Sequence, residues 1–143
     1  MTEEQQQTLQ KLYSDQKMVE SNLSLQQQRL EFLQAYLANI KMGLDVLKEL
    51  ETKKEGDEML MSVGGSIFVQ AKLVSPEKIT RGIGSGVSIE QSIADARKDL
   101  EETIEGLEKQ LEKESKQYQE MLILHQTITS RLQQLAEVMQ RGG

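Results

Sequence analysis

The chain has 143 residues, one domain's worth, with a formal charge of −6, 28% charged residues and only 3% aromatic ones. There is no Cys and no clustered Lys and Arg, which excludes a disulfide framework and a Cys-based metal site and argues against nucleic acid as a partner. With no Trp and a single Pro, the composition suits long, solvent-exposed helices better than a globular core.

The N-terminal stretch Met1 to Gln10 is polar and acidic, unlike a signal or transit peptide. No apolar run approaches the roughly 20 residues that span a bilayer. The expectation is a soluble, cytoplasmic protein without a membrane partner.

The first segment, residues 1–54, reads as helix. Leu9, Leu12, Gln16, Val19, Leu23, Gln26, Leu30, Leu33, Leu37, Ile40, Leu44 and Leu47 follow one another in alternating steps of three and four. Only the two glutamines break the apolar seam. A repeat of 3.5 residues held this long predicts a left-handed coiled coil.

Residues 55–88 change period. Met59, Met61 and Val63, then Ile67, Val69, Ala71 and Leu73, fall on alternate positions, with Ile79, Ile83, Val87 and Ile89 after them. Period two predicts strands. Gly64-Gly65, Ser75-Pro76-Glu77-Lys78 and Gly84-Ser85-Gly86 supply the breaks, so four short strands form two β-hairpins. Two hairpins bury too little to stand alone, so their edges must pair across subunit interfaces. Met59, Met61, Val63, Ile67, Val69, Leu73, Ile79, Ile83 and Val87 are the candidate oligomerisation residues.

Residues 89–143 return to the helical repeat. Their seam is Ile93, Arg97, Leu100, Ile104, Leu107, Leu111, Glu114, Tyr118, Met121, His125, Ile128, Leu132, Leu135 and Met139. Ser88 with Gln91 has the spacing of a capping box and sets the expected start of this helix.

Because the hairpins join the helices at one end, the helices must run antiparallel. Pairing residues whose numbers sum to 144 matches every seam position from 9 to 47 with a seam partner: Leu12 with Leu132, Val19 with His125, Leu37 with Leu107, Leu44 with Leu100. A shift by one heptad also matches, so the repeat alone leaves the register open to that extent. In this register both chain ends meet at a distal tip. Leu9, Leu12, Tyr13, Met18, Leu132, Leu135, Val138 and Met139 gather towards it, and one two-stranded seam cannot bury them all. Exposed apolar surface marks an interaction site, and flexible Met suits a surface that accepts many partners.

Val63-Gly64-Gly65-Ser66-Ile67-Phe68-Val69 and the later run Gly82-Ile83-Gly84-Ser85-Gly86-Val87-Ser88-Ile89-Glu90 resemble the α-class subunit of archaeal-type prefoldin. The resemblance covers the whole chain in layout and is most specific in the second run. It implies a mostly α protein with a small β region: a long antiparallel two-helix coiled coil joined by two β-hairpins that assemble into an intersubunit β-barrel platform. It implies a heterohexamer of two α and four β subunits, an ATP-independent holdase that captures unfolded proteins at its coiled-coil tips and delivers them to a chaperonin. A structural, filament-forming role through the hairpin edges is the alternative.

No catalytic, cofactor or metal site is expected. The Gly82 to Gly86 run lacks the third glycine of a dinucleotide fingerprint, because position 87 is Val, and no Lys follows for a phosphate loop. It reads as a tight turn. His125, the one histidine, has no ligand set around it and reads as a half-buried structural residue of the seam.

Overall fold

The computed structural model describes residues 2–142. In chain order it has α1 (Glu3–Leu50), β1 (Glu58–Gly64), β2 (Ile67–Lys72), β3 (Lys78–Gly84), β4 (Val87–Ser92) and α2 (Ile93–Arg141). By its internal contacts the chain forms two units: one from the chain's two ends, up to Ala35 and again from Glu108, and one from Tyr36–Leu107.

Helix α1 starts at a reciprocal capping box. The Gln5 amide N–H donates to Thr2 Oγ1 at 3.1 Å, and the Thr2 N–H donates to Gln5 Oε1 at 3.2 Å. Two otherwise orphaned donors are satisfied by one pair of side chains. Glu3 and Glu4 in the first turn and Lys48 in the last complement the helix dipole.

In the unit of the chain ends, all the seam positions named above are buried or half-buried. Val19, Ile128 and Leu132 form its buried cluster, with Leu9, Leu12 and Leu23 packed against it. Polar pairs across the seam fix the register. Gln16 Nε2 donates to Thr129 Oγ1 at 3.3 Å. His125 Nε2 lies 3.0 Å from Glu20 Oε1, and Arg29 Nε lies 3.4 Å from Glu114 Oε1. Each pair falls within one residue of the expected pairing. A heptad slip would move the partners about 10 Å along the helix, so the slip is excluded here.

This unit carries a polar layer inside its seam. Gln26 and Glu114 are both buried, and Gln26 Nε2 donates to the Glu114 carbonyl oxygen at 3.3 Å. The Arg29 guanidinium reaches the Glu114 carboxylate from the exposed side. Buried polar layers of this kind lower stability but disfavour alternative registers, in which the same groups would lose their partners.

In the unit of the hairpins, β1 pairs antiparallel with β2 and β3 with β4, as two separate two-stranded sheets. Each hairpin turns through two residues, Gly65-Ser66 and Ser85-Gly86, all four with positive φ: 58°, 61°, 53° and 75°. Positive φ at both central positions is the turn geometry whose twist matches the strands it joins. Glycine supplies it without strain, and Ser66 and Ser85 adopt it as the less usual residue. Beyond the first sheet, Gly56 N–H donates to the Leu73 carbonyl and Leu73 N–H to that of Asp57. Leu47, Ile93 and Ala96 form this unit's buried cluster, with Leu50, Ile79 and Leu100 against it.

Three sequence expectations change. Helix α1 ends at Leu50 and is followed by turns, short of residue 54. Helix α2 begins at Ile93, not near Ile89, and its N-cap is Ser92, whose Oγ accepts from the Asp95 N–H at 3.1 Å. Ser88 and Gln91 lie in β4, opposite Gly82 and Ile79. Ser88 and Ser92 both offer local capping chemistry, and the ladder to β3 decides between them by claiming residues 87–92. Finally, Ala96 rather than Arg97 fills the seam at the start of α2. Ala96 is fully buried, while Arg97 turns outward to Glu51 Oε2 at 2.7 Å and Glu101 Oε1 at 3.0 Å. Hydrogen bonds to Glu101 and then Glu51 raise the Arg97 pKa further above its ordinary value.

The seam assignment has a direct test. Leu37 is 8% exposed and Leu25 is 62% exposed. Leu37→Ala leaves a cavity and is expected to cost about 2–5 kcal/mol, whereas Leu25→Ala is expected to cost less than about 0.5 kcal/mol. Urea denaturation of the two variants measures both; equal losses would overturn the heptad assignment.

Candidate functional site

The residues expected to mediate assembly occupy the hairpins in two groups. Met61, Val63, Ile67, Val69, Ile83 and Val87 are exposed in the single chain. Met59, Leu73 and Ile79 are half-buried. Ile79 packs on the cluster of Leu47, Ile93 and Ala96, so it belongs to the chain's own core. Met59 lines a groove of about 210 Å³ with Val46, Leu50 and Lys53 of the α1 end. Met61 stands directly opposite Val69, which puts both side chains on one face of the first hairpin.

The other face is mixed, with Leu60 opposite Gln70 and Phe68 opposite Ser62. Leu60 and Phe68 alternate with Met61 and Val69 and are exposed as well. Alternation alone assigned them no role. The signal was present as two unbroken apolar runs, Met59-Leu60-Met61 and Ile67-Phe68-Val69, the pattern of a strand covered on both sides. No other strand lies beside either hairpin among the described residues, so every outer edge is open.

The residues expected at the coil tip are brought together only in part. Leu9, Leu12 and Leu132 meet around Val19 and Ile128, and Leu132 is buried there. Leu135 and Met139 are half-buried. Tyr13, Met18 and Val138 are exposed. Both helices hold their backbone bonding from Glu3 and to Arg141. Seam leucines therefore become available only where the terminal turns open. His125 is half-buried against Glu20 in this unit. No helix among the described residues is long and apolar enough to cross a membrane.

This layout, a coil seam and two edge-open hairpins between two long helices, matches known proteins. The family described as "Prefoldin: Prefoldin subunit" matches residues 19–141. The chain belongs to the prefoldin family. It is 31% identical over 91 residues to prefoldin subunit alpha of Methanococcus aeolicus, a match covering 61% of this chain and 63% of that protein. It is 31% identical to prefoldin subunit alpha of Methanoregula boonei over 74% of this chain and 69% of that one. To human prefoldin subunit 5 it is 29% identical, over 75% of this chain and 74% of that one. The chain thus spans just under two thirds of the length of the Methanococcus aeolicus relative.

Among solved structures, a filamentous prefoldin from Methanocaldococcus jannaschii superposes with a TM-score of 0.64 at 22% identity, covering 80% of this chain and 95% of that one. At that identity the likeness speaks for the fold. The relatives named alpha and the two hairpins agree on a prefoldin alpha-type subunit.

Proposed function

We propose that this chain is the α-type subunit of an ATP-independent holdase. Its hairpins assemble with those of β-type prefoldin subunits, two α with four β, into a β-barrel platform. Unfolded proteins are captured at the coil tips and delivered to a chaperonin. The observation that carries the reading is the first hairpin, which exposes Met61 and Val69 on one face and Leu60 and Phe68 on the other and pairs with no further strand among the described residues. Such a sheet has no stable monomeric state in water, because exposed edges and uncovered apolar faces both favour association.

Val69→Asp places a charge on the face that Val69 shares with Met61. Burying an unpaired carboxylate is strongly disfavoured. Native mass spectrometry of the variant mixed with a β-type subunit is expected to show loss of the hexamer, with helical circular dichroism largely kept. Unchanged hexamer mass would count against the hairpins as the assembly element.

The same open edges favour a second reading, in which hairpins of identical chains pair end to end and build a filament; a solved relative of this fold is filamentous. Native mass of the chain alone separates the two: a closed small oligomer supports the holdase, an open series the filament.

Capture at the tips is tested by removing residues 1–13 and 132–143. The hexamer is expected to persist, since the hairpins are untouched. Suppression of aggregation of a denatured protein is expected to fall several-fold, with or without ATP. Protection equal to that of the full-length assembly would sink the tip as the capture site.

A further inference from the structure

Helix α1 carries a second stripe beside its seam. Met18, Leu25 and Phe32 recur every seven residues, so they share one face two turns apart. None of them belongs to the coil seam. Met18 and Leu25 are 60% and 62% exposed, and Phe32 is exposed with them. Leu124 of α2, 48% exposed, joins Met18 along a groove of about 380 Å³ floored by Leu12, Val19 and Ile128 and rimmed by Asp15 and Arg131. A second hollow of about 410 Å³ lies between Leu25 and Phe32, with Arg29 at its rim. All of this lies within the unit of the chain ends.

We propose that this flank, which extends the tip set from Met18 along α1, docks amphipathic helical segments of client proteins; the inference deepens the holdase reading and rests on it. Spacing selects the occupant. The knobs of the stripe stand about 10.5 Å apart along the axis. A helix laid alongside presents apolar side chains at i and i+7 with that same repeat, knob into hole. An extended chain repeats each face every 6.6–6.8 Å or so and runs out of step. Backbone chemistry points the same way. The flank is a helix surface whose backbone is bonded internally, so it offers an extended client no partners for its N–H and C=O groups, whereas a helix brings its own. Area argues against a second copy of the chain. The exposed parts of these four side chains amount to on the order of 400 Å², about half of the roughly 800 Å² per partner of a stable interface. That suits an occupant that must be released. The rim carries both signs, Asp15 against Arg29 and Arg131, which accommodates the mixed charges of an amphipathic helix.

The probe is a fluorescein-labelled peptide of about 20 residues, with Leu at heptad a and d positions and Lys and Glu elsewhere. Its control has the same composition rearranged to strict apolar–polar alternation. Anisotropy titrations use the assembled hexamer. The helical peptide is expected to bind at least tenfold more tightly than the control. Met18→Gln with Leu25→Gln, both exposed positions, is expected to weaken it at least tenfold with hexamer mass and helicity unchanged. Met42→Gln with Leu122→Gln removes comparable apolar surface away from the groove, at positions given no role in binding, and is expected to change affinity less than threefold. Equal binding of the two peptides, or full affinity in the Met18/Leu25 variant, overturns the proposal. Aggregation suppression measured on the same samples keeps the two readings apart. Protection of a denatured client without helical-peptide binding defeats the flank and leaves the holdase standing. Peptide binding without protection defeats the holdase and leaves the docking flank.

Discussion

A two-stranded hairpin has two free edges and can cover at most one of its faces with its own helices. In this chain both sheets are of that kind, and the first exposes apolar side chains on either side, Met61 and Val69 on one face and Leu60 and Phe68 among polar neighbours on the other. Little else in the chain is arranged to cover them. Open edges and exposed apolar faces favour association, and the proposed role as a subunit rests on that.

The helices answer a different requirement. A two-helix seam buries one stripe of each helix and leaves the remaining faces in water, so stability there comes from many moderately buried layers. Among the described residues no large side chain is completely buried. Register then matters more than the depth of any layer, because a slip by one heptad preserves nearly every apolar contact. The polar positions break that degeneracy: Gln16 with Thr129, Glu20 with His125, and Gln26 and Arg29 with Glu114 have partners in one register alone. The more exposed of these contacts, such as Glu20 with His125, add little stability. Their effect lies in the alternatives they disfavour.

The two requirements divide the apolar surface into three classes by what can cover it. Seam residues such as Val19 and Leu37 are covered by the opposing helix. Hairpin residues call for another sheet. The stripe of Met18 and Leu25 stays mostly exposed and is too small to hold a permanent partner, the condition expected of a surface that binds and lets go.

The order of elements, the antiparallel pairing and the seam residues were all legible before any coordinates. Each rests on a period, 3.5 or 2, that only one secondary structure satisfies, and the hairpin turns rest on backbone geometry that glycine favours. Other features were decided in three dimensions. Ser88 with Gln91 has the local spacing of a cap, and only the pairing of β3 with residues 87–92 moves the helix start to Ser92. Ala96 and Arg97 compete for one seam position, and the contact with Leu47 and Ile79 selects the smaller. The role of Ile79 within the chain's own core, the exposure of Leu60 and Phe68 on the second face of the first hairpin and the groove beside Met18 and Leu124 depend on which side chains a neighbouring element covers. A linear pattern records which positions share a face. It does not record whether anything lies opposite that face, because coverage is a property of distant segments meeting, and only the tertiary structure contains it.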